Sequence, residues 1–138
     1  MKPLHPALPA VLGVLLLPSP AALACPPTDF PGAGQRMRVD FDTGAFDLDF
    51  KPDRCTLTFT GLDGDVAGLQ DTVVYQSAEI APRVYRLVWS RIDPATNAPF
   101  TNVVHIQNWN DNQVHSSFSN ARLDFTHRRG PLTRPHYP

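Results

Sequence analysis

Eight short runs of alternating apolar and polar residues fill this chain from Gln35 onward, and the connections between them are short. Successive side chains of a strand point to opposite faces, so alternation of this kind marks a strand buried on one side. Gln35 to Thr43 places Met37, Val39 and Phe41 on one face. Ala45 to Phe50 places Phe46, Leu48 and Phe50 together, with Asp47 and Asp49 opposite, and Cys55 to Thr60 sets Leu57 and Phe59 against three threonines. Asp71 to Ile80, Val84 to Ile92, Thr101 to Trp109, Gln113 to Ser119 and Ala121 to His127 complete the series. Turn residues separate them at Thr43-Gly44, Lys51-Pro52-Asp53, Ala81-Pro82-Arg83, Asn110-Asp111-Asn112 and Asn120. The longest gaps are the glycine-rich 61–70 and the loop 93–99. A parallel pair needs a crossover of about a dozen residues or more, which no gap supplies. The expected fold is all-β: a small eight-stranded antiparallel up-and-down barrel, the closure that leaves such a meander no free edge. An open β-sandwich is the alternative, but its longer return connection could only be 61–70. Eight strands enclose room for side chains or for one small ligand.

The N-terminus has a different character. Lys2 precedes an apolar run from Ala7 to Leu17, Pro18 and Pro20 break it, and Ala22-Leu23-Ala24 follows as a cleavage site. Eleven residues at about 1.5 Å each cannot cross a hydrocarbon core of roughly 30 Å. The segment therefore reads as a cleaved export signal, and no later run is long enough to span a membrane. The expected division is a leader over 1–24, a Pro/Gly-rich linker over 25–34, a barrel domain over 35–130 and an irregular tail over 131–138.

Removing 24 residues from 138 leaves 114, enough for one core. The leader takes Lys2 with it, leaving 11 basic against 13 acidic residues. A net charge near −2 gives no footprint for nucleic acid. Two cysteines remain, Cys25 and Cys55, and in an exported chain an even pair reads as a disulfide. Cys25 would also be the first mature residue, where a lipid anchor is attached, although Ala22 stands where a lipobox prefers Leu. The two uses of Cys25 exclude each other. Periplasmic or secreted location is expected with a disulfide, and the outer envelope with a lipid anchor.

The stretch Tyr75-Gln76-Ser77-Ala78-Glu79-Ile80-Ala81-Pro82-Arg83-Val84-Tyr85, followed by Trp89 and Val103-Val104-His105-Ile106, resembles the MoaF-like family. So does the closing hairpin from Gln113-Val114-His115-Ser116 to Phe125 and Gly130. These are lipocalin-like (calycin-type) barrels named after molybdenum cofactor biosynthesis protein F. The resemblance implies the same eight-stranded barrel, but not a role in that cytosolic pathway, which an export signal argues against. The layout from tyrosine to tryptophan is also similar to bacterial phenolic acid decarboxylases. Where those look to need a Glu after the Trp, this chain reads Trp89-Ser90-Arg91.

Five residues are the candidates for holding a ligand. Tyr75 and Glu79 share a face of one strand with Ser77, and an inward Glu79 would be a buried carboxylate with a raised pKa. An outward Glu79 would instead sit in solvent or pair with Arg83 or Arg86. Tyr85 and Trp89 would supply an aromatic wall, and His105 a polar point on it. His105 and His115 lie on adjacent strands, but a metal site needs three or four ligands, and no third falls at a telling spacing. No nucleophile elbow, phosphate loop or zinc spacing occurs, and Asp63-Gly64-Asp65 lacks the later ligands of a calcium loop. No metal or cofactor is expected. The reading is an exported barrel holding a small, partly apolar molecule. The alternatives are an enzyme using Glu79 or His105 as acid/base, and a filled barrel whose loops 61–70 and 93–100 meet a partner.

Overall fold

The computed structural model describes residues 25–93 and 95–134, together with Pro3. The expected leader otherwise lies outside the described residues, as do residues 135–138. Eight strands follow in order: β1 (Arg36–Phe41), β2 (Gly44–Phe50), β3 (Thr56–Gly61), β4 (Gln70–Ala81), β5 (Val84–Asp93), β6 (Ala98–Asn108), β7 (Gln113–Asn120) and β8 (Phe125–Thr133). Each pairs antiparallel with the next, and β8 returns to β1, so the sheet is a closed barrel. Among the described residues no helix is long and apolar enough to cross a membrane. A 3-10 turn, Gly64–Val66, interrupts the glycine-rich connection between β3 and β4.

The alternation sets which face is buried. In β1 the arginines and Asp40 are exposed while Met37, Val39 and Phe41 are buried. Leu57 and Phe59 of β3, Leu87 and Trp89 of β5, and Val103 of β6 point into the same core. Two strands turn the corners. β4 pairs with β3 through Gln70–Val74 and with β5 through Tyr75–Ala81. β8 pairs with β7 over Phe125–Pro131 and reaches β1 only through Leu132 and Thr133. Gly130 stands at that seam, where a Cβ would lie 1.9 Å from the Asp40 carbonyl oxygen. Only a glycine lets the two backbones approach so closely.

Two segments differ from expectation. The last strand, expected over Ala121 to His127, runs instead from Phe125 to Thr133. Residues 120–124 form its turn, with Asn120 Oδ1 accepting from the N–H groups of Arg122 and Asp124. Leu132, expected in the irregular tail, is buried where β8 meets β1. The second difference is at the expected linker. Cys25 is bonded to Cys55 as expected, but Phe30 behind it is 3% exposed, its ring inserted into the end of the barrel. There it meets Phe50, Tyr85, Trp109 and Tyr75 at centroid distances of 4.9, 5.5, 5.8 and 6.2 Å, all edge-on. This end of the barrel is closed by aromatic packing.

Candidate functional site

The opposite end is not filled. The hairpin turns β1–β2, β3–β4, β5–β6 and β7–β8 all lie there, so residues flanking those turns face one mouth. Below it is a cavity of about 110 Å³. Phe41, Phe46, Phe59 and Phe118 form one side of its wall, with neighbouring rings edge-on at 6.2–6.3 Å. Trp89 and Val103 form the other, and the polar lining is Arg91, Thr101, His105 and Ser116. Arg91 Nε donates to Asp71 Oδ2 at 3.1 Å, and its guanidinium lies 4.8 Å from the Phe100 ring centroid and 5.5 Å from that of Phe59. Its charge is thus held by an acid and two aromatic faces.

The deepest polar groups come from β6, whose inward positions are His105 and Gln107, with Trp109 just beyond the strand. Trp109 Nε1–H donates to Gln107 Oε1 at 2.9 Å. Gln107 Nε2 lies 3.2 Å from His105 Nε2, and His105 Nδ1 lies 2.6 Å from Ser116 Oγ on β7. This chain leads from the packed end to the cavity. It exists because β6 and β7 pair His105 with Ser116 directly, and because buried polar groups must find partners. Burial pushes the His105 pKa down to about 3, since an imidazolium there would lose its hydration.

That shift carries a pH dependence. In the unfolded chain a histidine binds its proton near 6.5, and in the folded protein His105 does so only near 3. Between those values the unfolded state holds more protons, so stability falls as pH falls through the window. From pH 7 to pH 5 this group lowers stability by about 2 kcal/mol. Urea unfolding of native protein and of His105→Gln at the two pH values checks this. The native chain is expected to lose that much more than the variant, and equal losses would contradict it.

The five expected residues divide. Trp89 and His105 line the cavity. Tyr75 and Tyr85 lie at the closed end instead, with Tyr75 5.3 Å from Phe50 and Tyr85 5.0 Å from Trp109. Tyr75 Oη is buried, and burial raises its pKa. Glu79 is exposed, and its Oε1 accepts from the Arg83 N–H at 3.0 Å. It braces the β4–β5 turn, where Arg83 has a positive φ of 59°. His105 and His115 point to opposite faces, one buried and one exposed. His115 stacks instead on His127 across β7 and β8, with centroids 5.5 Å apart. The close trio of metal-ligating side chains among the described residues, Cys25, Asp53 and Cys55, has its two sulfurs joined to each other. Sequence reasoning did not single out the phenylalanine wall, Arg91 or Ser116. For the phenylalanines and Arg91 the signal was positional, because each is an inward residue close to a turn at the same end; Ser116 is mid-strand and owes its place to its register opposite His105.

A family model described as MoaF-like matches residues 33–133. A search of curated proteins finds no match. Among solved structures, the crystal structure of a Burkholderia vietnamiensis protein provisionally named a beta-lactamase is similar to this chain. The TM-score is 0.68 and the identity 25%, over 77% of this chain and 97% of that one.

Proposed function

This chain belongs to the MoaF-like family, and on that footing we propose that it is an exported barrel holding one small, largely apolar molecule in its interior. The observation that carries the reading is the contrast between the two ends. One is packed with five aromatic rings, whereas the other keeps about 110 Å³ between apolar walls. Close packing is the rule inside proteins, and an apolar void near 150 Å³ suffices for a benzene-sized guest. The guest here is of the order of a single small ring, seated against Trp89, Val103 and the phenylalanine wall. The bridge between Cys25 and Cys55 supports export, since such bonds persist in oxidising compartments.

The name of the Burkholderia vietnamiensis protein suggests hydrolysis, which needs an activated nucleophile or a metal. Ser116 adjoins His105, but the polar chain from Trp109 leaves the His105 proton on Nδ1, the nitrogen facing the serine. That nitrogen cannot serve as its base, so binding is the function the cavity supports. Cyclohexanone is a suitable first probe. It is expected to shift the Trp89 indole N–H resonance saturably, and Val103→Phe, which fills the cavity, is expected to weaken it by about tenfold or more. Unchanged affinity in that variant would move the binding site elsewhere.

A further inference from the structure

The polar chain along β6 has a fixed direction. An indole N–H can only donate, so Trp109 makes Gln107 Oε1 the acceptor and leaves the amide hydrogens on Nε2. His105 Nε2, 3.2 Å away, must then accept, and is unprotonated. His105 is neutral, so its single proton is on Nδ1. Nδ1–H donates to Ser116 Oγ at 2.6 Å. Each member up to this point has its partner. The Ser116 proton is left over, and among the described residues its hydroxyl has no further partner. Ser116 is fully buried and lines the cavity.

We propose that the cavity selects a ligand bearing a neutral hydrogen-bond acceptor, a carbonyl or ether oxygen on a small apolar frame, which the Ser116 hydroxyl receives. This rests on the reading of the cavity as a ligand site and adds the chemistry of the ligand. A second feature points the same way. Trp89 also lines the cavity, and its indole N–H is buried without a partner among the described residues. The polar lining therefore has a surplus of donors, which an incoming acceptor relieves and an incoming donor does not. The acceptor is neutral because the floor is neutral and the cation of the lining, Arg91, is already held by Asp71 Oδ2 at 3.1 Å: a carboxylate would give up its hydration there without a free cation to meet it. The same direction of donation withholds from Ser116 the base that a serine nucleophile requires, because the nitrogen facing it already carries the proton.

Two measurements test this. Long-range proton–nitrogen correlation spectra of the native protein should place the His105 proton on Nδ1, and a proton on Nε2 would overturn the inference. The second compares cyclohexanone with methylenecyclohexane, which differ as C=O against C=CH₂ on one ring. Ser116→Ala should weaken the ketone by roughly tenfold and leave the hydrocarbon within about twofold, its retained affinity showing that the variant's cavity is intact. Equal effects on both probes, or binding of the hydrocarbon alone to the native protein, would overturn the acceptor inference and leave the cavity reading standing. Failure of both probes to bind the native protein would remove the cavity reading and this inference with it.

Discussion

Phe30→Ala is expected to cost the protein about 3–5 kcal/mol, the range for truncating a fully buried aromatic. The residue comes from a segment with no regular secondary structure, yet its ring touches four others at the closed end of the barrel. Removing it takes away transfer energy and edge-to-face contacts, and leaves a void that β-strands cannot collapse to fill. The packing is tight enough that a Cβ on Gly32 would fall 2.4 Å from the Phe30 ring and 2.6 Å from Met37 Cε. The melting temperature of a domain this size should fall by roughly 12–20 °C, and the denaturant midpoint should fall with it. A loss below about 1 kcal/mol would mean that the ring is a passenger and not a plug. Phe30→Leu, which keeps most of the apolar volume, should recover more than half of the loss.

Phe30 also shows where the sequence is silent. Eight strands, their antiparallel order and the closure of the barrel are legible because period-two alternation is a repeated, local signal. A lone aromatic in Pro-Pro-Thr-Asp-Phe-Pro-Gly carries no period, and prolines and glycines around it read as a connection. The end of β8 is hidden for a similar reason. Arg128-Arg129-Gly130-Pro131 contains turn formers and charges, and only the need to close on β1 makes it a strand.

The candidate site was half legible for a geometric reason. Tyr85 and Trp89 share a face, but four residues of strand separate them by roughly 13 Å. They therefore serve different ends of the barrel, one packed against Trp109 and the other lining the cavity. Alternation tells which side chains point inward. It does not tell which end they reach, and the end is set by which turns they flank. Ser116 illustrates the remaining gap. Its role comes from register, opposite His105 across β6 and β7, and register is not written in either strand alone.

The bridge between Cys25 and Cys55 should contribute about 3–4 kcal/mol, from closing a segment of 30 residues in the unfolded chain. The mass of residues 25–138, the product that the proposed export would leave, tests its existence directly. Residues 25–138 should gain two hydrogens on reduction, whereas several hundred mass units of acyl chain would assign Cys25 to a lipid anchor. Replacing both cysteines by serine should lower stability by the stated amount, and reductant should have no effect on that variant. The bridge and the plug also act through one segment. Thr28 binds the Arg54 carbonyl through its N–H and its hydroxyl, at 2.8 and 3.0 Å, and Arg54 pairs with Asp29 at 3.1 Å. These contacts hold residues 25–30 against the turn before β3, and so deliver Phe30 to the barrel end. Without the bridge the segment is held by exposed polar contacts and by the Phe30 ring itself, and the plug is seated for less of the time. Phe30→Ala should therefore cost less in the serine variant than in the native chain, by about 0.5 kcal/mol or more, as expected for coupled sites. Strictly additive losses would mean that Phe30 seats itself, and that the bridge acts on the unfolded chain alone.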